Sequence, residues 1–145
     1  MLTWRAPAAG LVLLLASASA ARAQAEPAPE WTVLTVAING AWGVSTARTQ
    51  SEAITGAVRR CQMRSTEPSD CGAELIAYRV GWALGILCGN HRILASGSDR
   101  EEVEAAAHER IAVLKQSYES SLTPCRRIVT VDPVGTILKV REPNG

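Results

Sequence analysis

Four cysteines, Cys61, Cys71, Cys88 and Cys125, and two histidines, His91 and His108, are the residues of this chain with the widest chemical reach. Cys88-Gly89-Asn90-His91 has the spacing at which a thiolate and an imidazole can share a zinc ion, but no second pair at a similarly short spacing completes a tetrahedral set. Cys88 as a nucleophile, with His91 or His108 as its base, requires a reduced and unpartnered thiol. Carboxylates offer a third chemistry, in which two acids held in different environments act as general acid and base; Asp99 and Asp132 are the scattered candidates. Glu101, Glu102, Glu104 and Glu109 crowd one helical stretch and read instead as its solvated face. The sequence contains no phosphate-binding Gly-x-x-x-x-Gly-Lys loop, no Gly-x-Ser-x-Gly elbow and no His-Glu-x-x-His helix.

The compartment decides which thiol chemistry applies. Arg5, the apolar run Leu11 to Leu15 and the small-x-small site Ala23-Gln24-Ala25 read as an export signal over residues 1–25, too short to span a bilayer. No cysteine stands near the cleavage site to take a lipid. Cleavage after Ala25 leaves 145 − 25 = 120 residues, and losing Arg5 and Arg22 leaves 13 basic against 14 acidic side chains. A formal charge of −1 gives no footprint for nucleic acid or for an anionic membrane, and the mature chain has no transmembrane segment. Residues 26–30 form a Pro-rich spacer, 31–141 a single domain and 142–145 a tail.

Within the domain the elements recur. Thr32 to Ile38 alternates as a strand, with Leu34, Val36 and Ile38 on an apolar face, and Asn39-Gly40 predicts a tight type I′ hairpin returning through Trp42. Thr49-Gln50-Ser51-Glu52 is a capping box, followed by a helix with Ala53, Ile54, Ala57, Val58 and Cys61 on one face. Ala73 to Val80 is the next strand. Trp82 to Cys88, Gly89-Asn90 and Arg92 to Ala95 repeat the hairpin about 50 positions on, and Ser98 to Glu101 repeats the cap. A longer helix then buries Val103, Ala107, Ile111, Leu114 and Tyr118; Arg126 to Val131 is a strand and Thr136 to Val140 adds another. Two β-β-α-β repeats, about 31–80 and 81–132, predict an α+β fold: one antiparallel sheet with two helices on one face.

An even number of cysteines in an exported chain predicts two disulfides, with three connectivities open. The repeat chooses among them. Cys71 and Cys125 both close their units at the start of the last strand, whereas Cys61 and Cys88 occupy positions that are core aliphatics in the other unit, Ile111 and Ile38. Cys61 lies late on the buried helix face within reach of Cys71. The second helix offers no thiol, so Cys125 must look to Cys88 on the sheet.

The helix-free side of that sheet is the expected contact surface. Trp42 is out of phase with the core-facing Ala41 and Gly43, and Thr35, Val44, Leu87, Arg92 and Leu94 are expected beside it.

Val36 to Ser45, Ser51 to Cys61 with Cys71, and Cys88 through Cys125 make the chain resemble a family of small secreted bacterial proteins that carry a duplicated, cysteine-paired domain of unknown function. The resemblance spans roughly Trp31 to Val131. It departs at Ile93, Leu94 and Ala95, where the family has Gly-rich aromatic residues, and in the second helix, which lacks a cysteine. It implies export and carries over no catalytic residue. The expectation is therefore an exported, non-catalytic binding module of the envelope or extracellular space, without cofactor or metal, acting on a protein or cell-envelope partner as an inhibitor or neutraliser. The alternative is a small envelope hydrolase using Asp99 or Asp132, and a purely structural envelope role is third.

Overall fold

Strand β1 (Trp31–Val36) is buried on both of its faces, and the architecture follows from that. Leu34 and Val36 pack on one side against a second sheet, while Val33 packs on the other beneath a helix. The computed structural model describes residues 30–118 and 123–138; the expected leader, the spacer through residue 29, and the tail lie outside them. After β1 come β2 (Trp42–Ala47), α1 (Gln50–Gln62), a 3-10 turn at Pro68–Asp70 and β3 (Leu75–Tyr78). Then follow β4 (Trp82–Cys88), β5 (His91–Gly97), α2 (Arg100–Tyr118), β6 (Cys125–Val131) and β7 (Ile137–Leu138).

The fold is α+β with two antiparallel sheets, β2-β1-β3 and β5-β4-β6-β7, each drawn from one contiguous half of the chain. They face each other through Leu34, Val36, Val44 and Tyr78 on one side and Ala83, Leu94, Val129 and Val131 on the other. Helix α1 covers the outer face of the first sheet through Ala53, Ala57 and Cys61. Helix α2 covers the outer face of the second through Val103 and Ala107. The layers thus run helix, sheet, sheet, helix. This corrects the expectation of one sheet with both helices on one face. The physical reason lies in the smaller residues: Val33 and Ala37, and in β4 Ala83 and Gly85, make the second face of each strand apolar too, and a strand apolar on both faces has to be covered on both.

Local chemistry sets the junctions. Thr49 caps α1, its Oγ1 accepting from the Glu52 N–H at 3.3 Å and donating to the Glu52 carboxylate at 2.9 Å. In α2 the cap is Asp99, one residue later than expected: its Oδ1 accepts from the Glu102 N–H at 2.8 Å, while Glu102 reaches back to the N–H and hydroxyl of Ser98, both at 2.7 Å. A carboxylate at that place also meets the positive pole of the helix. Tyr118, expected on the buried stripe, is exposed at the helix end.

Gly89-Asn90 is the predicted two-residue hairpin, with Cys88 opposite His91 and Gly89 at φ 59°. The first hairpin is wider. Ala37 N–H donates to Ala41 O at 2.7 Å across a three-residue loop, Ile38-Asn39-Gly40, whose glycine takes φ 86°. That extra residue shifts the comparison of β1 with β4 by one, while β2 with β5 and α1 with α2 keep the spacing of 50. It also moves Thr35 off the face expected for it: Thr35 lies opposite Gly43 on the α1 side, where its hydroxyl donates to Glu74 O and accepts from Gly72 N–H. The disulfides are Cys61–Cys71 and Cys88–Cys125, with Cα atoms 5.8 and 4.0 Å apart, the pairing the repeat predicts.

Candidate functional site

Of the six residues expected on an open face, the five other than Thr35 lie in and around the space between the sheets. Val44 and Leu94 belong to the inter-sheet core, and Leu87 is buried on the β4 face it shares with Ala83 and Gly85. Trp42 sits half-buried at the rim of that core with the Arg64 guanidinium 4.4 Å over its ring. Arg92 is only 12% exposed; its Nη1 donates to Asp70 Oδ1 at 2.7 Å and its Nε lies 3.4 Å from the Glu74 carboxylate. Helix-free was the right description of this face. It is closed because the other sheet is its cover.

Asp70 joins the halves. It receives the Ile38 N–H on one oxygen and Arg92 on the other, beside Cys71. The Ile38 N–H, reinforced by Arg92 and opposed by burial, holds its carboxyl below the usual 3.8. A depressed folded pKa contributes stability that is complete above about pH 3.8 and disappears as pH falls through the folded value. Asp70→Asn is therefore expected to melt at lower temperature than wild type at pH 7, and to lose less of its melting temperature between about pH 4 and pH 2. Parallel acid-dependent slopes would show that this carboxyl is not a source of acid lability.

Where the edges of the sheets meet, at β3 and β5, a groove of about 560 Å³ opens. Glu74, Ile76, Arg92, Leu94, Arg110 and Leu114 line it. Two of these, Arg92 and Leu94, were singled out in the sequence; the other four were not. Arg110 did carry a signal. Its guanidinium donates to the Leu94 carbonyl, and 50 residues earlier Arg60 Nη1 donates to the Val44 carbonyl at 2.8 Å, 50 residues before Leu94. A larger groove, about 670 Å³, runs between α2 and the start of β6 and holds His108, Lys115 and Cys125. It brings an imidazole near a cysteine, but all four sulfurs are committed to disulfides. His91 packs against the ring of Tyr118, with centroids 4.5 Å apart.

The carboxylates offered for acid and base chemistry carry structural duties. Asp99 caps α2, and Asp132 accepts the N–H groups of Val134 and Thr136 at 3.0 and 2.7 Å to hold the β6–β7 turn. Glu104 accepts both terminal nitrogens of Arg127, which lowers its pKa. Among the described residues no three His, Cys, Asp or Glu side chains group closely enough to hold a metal ion, and no helix is long and apolar enough to cross a membrane. No family model, curated protein or solved structure matches the chain.

Proposed function

We propose that the chain is an exported, non-catalytic binding module, made by duplication of a β-β-α-β unit, that engages a protein of the bacterial envelope or extracellular space through the β3–β5 groove and thereby inhibits or neutralises it. The observation that carries this reading is the groove itself, where two sheet edges, apolar side chains and arginine lie together. Matched helix caps at Thr49 and Asp99, and matched arginine bonds from Arg60 and Arg110, support duplication. Two disulfides and the leader pattern support export, and the likeness to the secreted duplicated family belongs to the same reading. The structural work of Asp99 and Asp132 weighs against the hydrolase alternative.

Capture from envelope extract by the oxidised mature protein tests it. The charge reversals Arg110→Glu and Glu74→Arg, each with both disulfides intact, should cut recovery of the same partner about tenfold or more. Trp42→Ala, at the rim of the other edge strand of the first sheet, should leave it unchanged. Equal recovery by all four proteins would remove the groove as the contact surface.

A further inference from the structure

Resting on that reading of the groove, the backbone itself points to how a partner would be held. In an antiparallel ladder alternate residues turn their N–H and C=O groups to opposite sides. Ala37 donates to Ala41, so the odd-numbered residues of β1 face β2 and the even-numbered ones face β3. With Leu34 opposite Ile76 and Thr32 opposite Tyr78, the outer edge of β3 carries the N–H and C=O groups of Leu75 and Ala77. The same alternation turns the carbonyls of Trp42 and Val44 to the outer edge of β2, and the two-residue turn at Gly89-Asn90 turns that of Leu94 to the outer edge of β5.

Arginine side chains blunt the outer edges of β2 and β5. Arg60 and Arg64 reach the Val44 and Trp42 carbonyls of β2, and Arg110 reaches the Leu94 carbonyl of β5. Such devices keep an edge from templating another chain. Among the described residues no side chain caps the outer edge of β3, and that is the edge that opens on the groove.

We infer that β3 is the recognition edge and that its occupant is an extended peptide segment of the partner, added as a fourth strand to β2-β1-β3, with a carboxylate side chain directed at Arg110. Strand addition satisfies the Leu75 and Ala77 backbone groups, and alternate side chains of the incoming strand face the groove. Charge selects the carboxylate. Arg110 has no carboxylate within 4.0 Å among the described residues, whereas Arg92 already has two.

The probes are three blocked hexapeptides of alternating valine and threonine with Asp, Asn or Lys at the third position, titrated into the oxidised mature protein while amide hydrogen exchange is followed. In the unliganded protein the Ile76 and Tyr78 amides should exchange slowly and those of Leu75 and Ala77 rapidly. The Asp peptide should slow the latter pair about tenfold or more and bind about tenfold tighter than the Lys peptide. N-methylating alternate amides of the peptide should abolish binding. Arg110→Ala, with Ile76 and Tyr78 still protected, should bring Asp and Asn peptides within about twofold. Absence of binding at millimolar peptide, binding that leaves Leu75 and Ala77 unprotected, or self-association that protects them would each overturn the inference. If the peptides fail while Arg110→Glu still abolishes envelope capture, the groove reading stands and strand pairing falls.

Discussion

Replacing Cys88 and Cys125 together by alanine is expected to lower the stability of the domain by about 4 kcal/mol and its urea midpoint by about 2 M. The two residues stand opposite each other across β4 and β6, and their bond closes a segment 37 residues long that includes β5 and all of α2. In the unfolded chain that closure removes many conformations. The Cys61–Cys71 bond closes only 10 residues, so its double replacement should cost about 3 kcal/mol. Both losses are large beside the marginal stability of a small domain. Because Cys61 and Cys88 are fully buried, each variant also leaves a small gap that adds to the loss. The test is the order: equilibrium unfolding that ranked the 10-residue closure above the 37-residue one would contradict the loop-entropy account.

Gly43→Ala should be the most damaging single methyl that can be added to the sheet, at about 3 kcal/mol. A Cβ at Gly43 would sit 1.9 Å from the Ala57 carbonyl oxygen and 2.6 Å from the Cys61 nitrogen. Both are backbone atoms of α1, so no rotamer relieves the overlap and the helix must move as a body. Moving it disturbs Ala53 and Ala57 under the helix and strains the chain leading to Cys71. Gly85→Ala is the comparison, since its Cβ would meet methyl groups of Val36 and Val129, 2.8 and 3.0 Å away, which can turn aside. Its cost should be about 1 kcal/mol. Equal urea midpoints for the two variants would mean that helix α1 does not approach β2 as closely as described.

How far the sequence reached depends on what each signal measures. Thr49 with Glu52, and Ala53, Ala57 and Cys61 at helical spacing, located α1 because capping and amphipathic spacing are local. The cysteine pairing was legible because comparing the halves removed two of three connectivities. The number of sheets was not. Alternation says which residues share a face, and Leu34 and Val36 do, but it is silent on whether water or another sheet lies beyond them. Trp42 and Arg92 were rightly placed on the side away from the helices; their exposure was the error, because the Asp70 and Glu74 that meet Arg92 come from a loop about 20 residues away. The groove depends on where two sheet edges end in space, which no local pattern encodes. Arg92 and Leu94 were legible as residues of the helix-free face, and Arg110 left a trace through its counterpart Arg60.

Each half of the molecule carries its own sheet, its own helix and its own sulfur bridge, and neither bridge crosses between them. The main chain passes from one half to the other through Arg79-Val80-Gly81, where Val80 is 67% exposed. A protease that nicked the chain there would produce two fragments, each still internally stapled. No disulfide would join them; the apolar seam and the clasp of Arg92 on Asp70 and Glu74 would hold them together.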